Sequence, residues 1–154
     1  MGAPKECAIQ YTGAAVAGVA LGVDQPASTT TVRGRIQEFD IGSHATPVDQ
    51  ATMYQLVRYG TALPTGGSTP TIAYNDTADG AAQLSVFAAA TGGATIGTTL
   101  WELGIHMKAS YRWVAQPGRE WVIPATNFAG IGIYAPAGNQ TAAYNYDLTL
   151  MWDE

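Results

Sequence analysis

Between Trp101 and Trp113 the chain alternates without interruption. Trp101, Leu103, Ile105, Met107, Ala109, Tyr111 and Trp113 take the odd positions; Glu102, Gly104, His106, Lys108, Ser110 and Arg112 take the even ones. A strand turns successive side chains to opposite faces, so this period predicts one long strand with a dry and a wet face. At about 3.3 Å per residue it would span roughly 40 Å, about twice the length of the usual strand of five or six residues. Helical periodicity is nearly absent elsewhere. Short apolar runs recur between clusters of Gly, Pro, Asn, Asp and Thr, the signature of an all-β sandwich or barrel.

The remaining strands are shorter. Glu6 to Thr12 places Cys7, Ile9 and Tyr11 on one side, and Ala14 to Val23 reads as a second strand or an extended arm. Thr31 to Ile41 changes parity inside one run: Val32 and Ile36 share one face, Phe39 and Ile41 the other. One extra residue does this, which predicts a β-bulge near Gln37 and Glu38. The run from Gln50 or Ala51 to Thr61 is apolar on both faces, with Met53, Val57 and Tyr59 against Tyr54 and Leu56. Such a strand is buried twice, once on its own core and once on something else. Thr71 to Tyr74, Gln83 to Ala89, Arg119 to Ile123, Phe128 to Ala135 and Tyr144 to Trp152 complete the set. Gly130 and Gly132 within the Phe128 run mark a bend or the close approach of another backbone.

About eight strands from Val32 onward, in about 120 residues, fit a jelly roll of two Greek keys. An immunoglobulin-like sandwich, normally about seven strands in about 100 residues, is the runner-up. The expected layout is an N-terminal arm or extra strands over residues 1–30, then one sandwich domain over residues 31–154.

Composition sharpens this. A chain of 154 residues with 47% apolar content can pack one core. Only 12% of it is charged, against about 25% in an average domain. A surface so poor in charge either stays soluble by some other means or is partly covered by partners, and the second is the expectation. The net charge of −5, with seven scattered basic residues, argues against nucleic acid and anionic membranes. The single cysteine, Cys7, excludes an intrachain disulfide and reads as a packing residue. The start lacks a signal peptide's apolar stretch, and Glu6 stands where a myristoylation signal needs Ser or Thr. Ala14 to Val23 is too short to span a bilayer. A soluble product made in a cytoplasm is expected.

Candidate chemistry is sparse. His44 falls in a loop and His106 on a wet face. Glu102 and His106, four apart on a strand, stand about 13 Å apart and cannot share an ion. A cupin's His-x-His pair is missing, because Met107 and Lys108 follow His106. Asn75, Asp76 and Asp79 suit a turn better than calcium. No nucleophile elbow or phosphate loop is present. Glu38 and Asp40, about 6–7 Å apart on one strand face, leave a hydrolase as a third reading. The glycosylation sequons at Asn75 and Asn139 read as accidental without a secretory signal. No catalytic residue, cofactor or metal is assigned. Tyr54 and Tyr59 stand on opposite faces of their strand, so at least one is expected to face outward or a partner. With Arg58 they are the candidate interface residues.

Arg35-Ile36-Gln37-Glu38-Phe39-Asp40-Ile41-Gly42-Ser43, then Thr46-Pro47 and Tyr54-Gln55-Leu56-Val57-Arg58, resembles small structural proteins of tailed-phage heads, as does Tyr146-Asp147-Leu148-Thr149-Leu150-Met151-Trp152. These are jelly-roll decoration, or cement, proteins, and the likeness runs from about Arg33 to the end. The resemblance implies a non-enzymatic protein of the virion surface. It would be made in the host cytoplasm and assemble with itself, often as a trimer, while bridging subunits of the major capsid protein. The competing expectation is a carbohydrate-binding jelly roll, a lectin or phage receptor-binding tip, which needs an exposed aromatic platform beside Asn and Asp.

Overall fold

A computed structural model of the chain describes residues 5–15, 17–26, 32–44, 47–138 and 144–154. Among them no helix occurs. Eleven strands follow one another: β1 (Glu6–Ala14), β2 (Gly18–Asp24), β3 (Gly34–His44), β4 (Ala51–Gly60), β5 (Ala73–Tyr74), β6 (Ser85–Ala90), β7 (Thr95–His106), β8 (Tyr111–Val114), β9 (Trp121–Ile123), β10 (Gly130–Ala135) and β11 (Asn145–Asp153). They form two antiparallel sheets, a β-sandwich. One runs β5-β1-β11-β3-β8, with β9 also paired to β3; the other runs β6-β2-β10-β4-β7. The segment read as an arm or extra strands supplies β1 and β2, one inside each sheet.

Alternating apolar residues from both sheets meet between them. Ile9, Leu21, Val23, Ile36, Phe39, Ile41, Leu56, Ile131, Ile133, Leu150 and Trp152 are buried there. The bulge lies at Gln37: Met151 faces Glu38 and Trp152 faces Ile36, leaving Gln37 without a counterpart. Its carbonyl accepts the Ala115 amide at 2.7 Å. The extra residue lets Ile36 and Phe39, of opposite parity, both point into the core.

The alternation from Trp101 to Trp113 is not one strand. β7 ends at His106, and β8 begins at Tyr111 in the other sheet. The segment between them turns the edge of the sandwich. Both strands line the same interior, so the apolar parity survives the turn. Met107 plugs the crossing with 2% exposure, and the Ser43 hydroxyl donates to its carbonyl. The eight strands expected after Val32 are therefore the nine from β3 to β11.

A second, smaller apolar cluster covers the outer face of the β2–β10–β4 region: Val19, Val57, Tyr59, Phe87 and Ala90. Glycines make its floor. A Cβ on Gly22 would stand 2.4 Å from Phe87 Cζ, and one on Gly132 would stand 2.6 Å from Val19 Cγ1. The close approach expected at this pair is made at Gly130 by the Tyr59 ring, and at Gly132 by Val19 together with the β2 backbone, whose Leu21 carbonyl oxygen would stand 2.9 Å from a Cβ.

Candidate functional site

A polar groove of about 580 Å³ lies on the outer face of the β1–β11–β3–β8 sheet. Adjacent strands place it by simple alternation. β1 presents Gln10 and Thr12, β11 presents Asp147 and Thr149, β3 presents Asp40, and Arg112 with the turn at Lys108 to Ser110 closes one side. Their apolar neighbours Ile9, Ile41, Leu148 and Leu150 point the other way, into the core.

The charges in and around the groove are largely paired. Arg112 donates to both oxygens of Glu38, at 2.6 and 2.8 Å. Thr12 donates to Asp147 Oδ1 at 3.1 Å, and His44 Nδ1 stands 3.0 Å from Asp147 Oδ2, off the line of a hydrogen bond. Asp40 differs. Burial and the Glu38 charge push its carboxyl above the ordinary range, with Arg112 opposing. The pair Glu38 and Asp40 thus shares a face as expected, but Arg112 holds both oxygens of Glu38.

His106 lies at the exposed end of β7. Its Nε2 lies 2.7 Å from Asp49 Oδ1, and its Nδ1 accepts the Lys108 amide at 3.2 Å. This hydrogen bond from His106, then the Lys108 charge, holds the Asp49 carboxyl below its ordinary value. Both ring nitrogens are occupied, so the pair leaves no nitrogen to deprotonate a nucleophile. Glu102 accepts from Gln55 instead. In the turn after β5, Asp76 Oδ1 accepts the Ala78 amide at 2.8 Å and Asn75 donates to Glu6 at 2.6 Å, an Asx turn. Among the described residues no three His, Cys, Asp or Glu side chains converge as metal ligands. Burial, then the Glu154 charge, pushes the Cys7 thiol up to about 11, so it stays protonated near neutrality.

The candidate interface tyrosines do not face outward. Tyr54, 2% exposed, lies between the sheets, its hydroxyl 3.0 Å from that of Tyr144. Tyr59, 4% exposed, lies in the outer cluster against Phe87. The second cover of the doubly apolar β4 is therefore this chain itself. Arg58 is half-buried and donates across the sandwich to the Val122 carbonyl at 2.6 Å.

Three features escape a reading of the sequence. Tyr144 donates on to Thr52 at 3.3 Å, making a buried hydroxyl chain with Tyr54. Asp24, 1% exposed, sits under the Tyr59 hydroxyl, which reaches the Val23 carbonyl at 3.2 Å and Asp24 at 3.4 Å. A row of rings fills the sandwich edge between β7 and β8: Trp113 stacks on Trp121 at 4.0 Å, and Tyr111 on Trp101 at 5.1 Å. Only the aromatic richness of those strands hinted at the last. Among the described residues the large apolar side chains most exposed are Val114, at 54%, and Met151, and both lie on the groove-bearing face.

No family model, curated protein or solved structure matches the chain. Among the described residues no helix is long and apolar enough to cross a membrane.

Proposed function

We propose that this chain is a non-enzymatic structural subunit of a virus particle, a head decoration or cement protein. It sits on the capsid exterior, assembles with copies of itself and bridges subunits of the major capsid protein. The observation that carries this reading is the strand order. The order β1-β11-β3-β8 against β2-β10-β4-β7 alternates between sheets as an eight-stranded jelly roll does, with β5 and β6 an excursion between β4 and β7. The phage-head resemblance of the β3, β4 and β11 segments implies a jelly roll, and this alternation supports that reading. The low charge of the chain agrees with a subunit that works while covered. Its mechanism is buried area, about 1,600 Å² for a standard interface, repeated by capsid symmetry.

Co-sedimentation with empty heads built from a tailed-phage major capsid protein tests the reading, using the phage whose genome encodes the chain. Saturable binding at a fixed ratio per capsid subunit supports it; free protein left entirely in the supernatant counts against it.

The polar groove favours a second reading, a carbohydrate-binding module. Asp40, Asp147, Gln10, Thr12 and Thr149 offer acceptors and donors suited to sugar hydroxyls. Against it, the stacked rings lie along the inter-sheet edge, and Tyr111, which borders the groove, stacks on Trp101. Glycan-array binding lost in Asp40→Asn would favour this module over the capsid role.

A further inference from the structure

The strand register orders the outer face of the groove-bearing sheet into rows. Ala8, Met151, Glu38 and Val114 lie opposite one another across β1, β11, β3 and β8. This middle row holds Val114 and Met151, the most exposed large apolar side chains among the described residues. The row on one side sets Asp153 opposite Arg35, with Arg33 beyond. The row on the other side sets Thr149 opposite Asp40, and the next sets Asp147 opposite Gly42. Five strands make the face about 24 Å wide, and the nine residues of β11 make it about 30 Å long. The resulting area, about 700 Å², is close to the ~800 Å² that each partner gives to a standard interface.

The two ends of the face carry unpaired groups of opposite sign. Arg33 and Arg35 are exposed, and neither makes a hydrogen bond or ion pair among the described residues. Of the acids around them, Glu154 accepts the Gln83 and Leu84 amides at 2.7 and 3.0 Å, Glu6 accepts from Asn75, Glu120 accepts the Gly118 amide, and Asp153 makes no ion pair with Arg35. At the groove end Asp40 likewise has no hydrogen bond or ion pair among the described residues. The cations there are engaged elsewhere: Arg112 holds both oxygens of Glu38, and the Lys108 charge acts on Asp49. Beside Asp40 the groove is open over Gly42, where an added Cβ would come no nearer than 3.7 Å to its neighbours. One end of the face is thus hollow and acidic, and the other bears two long unpaired guanidinium side chains.

We propose that this face packs against the same face of a second copy of the chain, about a two-fold axis that runs along the row of Met151 and Val114. Such an axis reverses positions along the strands and keeps positions across them. Met151 and Val114 therefore meet their own counterparts. Arg35 of each copy meets Asp40 of the other, and Arg33 enters the groove over Gly42 beside Asp147. Every one of these contacts is made twice. Glu38 also meets its counterpart, but its side chain is only 14% exposed and already neutralised by Arg112. The packing covers the groove. It does not rest on the capsid reading, and either can fail alone.

A charge swap tests the register. Light scattering should give the wild-type chain twice its mass at tens of micromolar. Arg35→Glu and Asp40→Lys move the net charge in opposite directions, yet each sets like charges together twice across the axis. Each should weaken association about ten-fold with an unchanged circular-dichroism spectrum, and the double variant Arg35→Glu/Asp40→Lys should restore it. Within one chain Arg35 and Asp40 lie roughly 15 Å apart along β3, so only contact between copies can restore it. Met151→Lys, at a solvent-facing position clear of Asp40, should give a folded monomer. Any one of three results overturns the proposal: a wild-type monomer at that concentration, an oligomer, trimer included, that persists in both Arg35→Glu and Met151→Lys, or a double variant that associates no better than the single ones.

Discussion

The ring of Tyr59 lies directly on Gly130: a Cβ on that glycine would stand 2.3 Å from Tyr59 Cζ and 2.5 Å from its hydroxyl oxygen. The absence of a side chain on β10 lets a β4 tyrosine lie down across the sheet and close the outer cluster. Gly130→Ala should therefore force the ring off its floor and cost about 1–3 kcal/mol, as overpacking does. Urea denaturation of the variant checks this; an unchanged midpoint would show that the ring shifts freely.

The same ring covers a buried acid. Burial pushes the Asp24 carboxyl up to about 7 from its ordinary 3.8, with the Tyr59 hydrogen bond opposing. The folded chain holds this proton more tightly than the unfolded one. Its contribution to stability is then full below about pH 4, declines as the pH rises to about 7, and is flat beyond. The loss is about 4 kcal/mol at most. Asp24→Asn keeps the shape without the charge, so it should flatten the profile between those limits and exceed the wild type at pH 8. Denaturation series across this pH range compare the two, and parallel profiles would contradict the assignment.

Between the sheets, the Tyr144 hydroxyl joins Tyr54 to Thr52. Burial and the bond to Tyr144 both push the Tyr54 phenol above its ordinary value, so the Tyr54 hydroxyl keeps its proton at physiological pH. Tyr144→Phe leaves the Tyr54 hydroxyl short of a partner and should cost about 1–3 kcal/mol. Tyr54→Phe/Tyr144→Phe together should cost less than the two single losses added, because no buried hydroxyl is then orphaned by the other. Additive losses in the double-mutant cycle would deny the coupling.

How far the sequence carries depends on which relation is local. The parity change between Ile36 and Phe39 is local, and it located the bulge at Gln37. The Gly130 and Gly132 pair likewise announced a close approach, though not that Tyr59 and Val19 make it. The run from Trp101 to Trp113 misled because period two reports only which way side chains point. Trp101 and Tyr111 face one interior from opposite sheets, so the chain crosses the edge without breaking the pattern. For β4 the pattern showed two covered faces but not the cover; Phe87, distant in sequence, supplies it. The hydrogen bond from His106 to Asp49 and the burial of Asp24 under Tyr59 join residues 57 and 35 positions apart, beyond any spacing rule.

The proposed capsid role is tested most directly on phage heads assembled without this protein. Such heads should release their DNA at a lower temperature than complete ones, and adding the purified chain should restore the higher temperature at saturating, fixed stoichiometry. Heads of equal thermal stability with and without the chain, and no rescue on addition, would contradict the account.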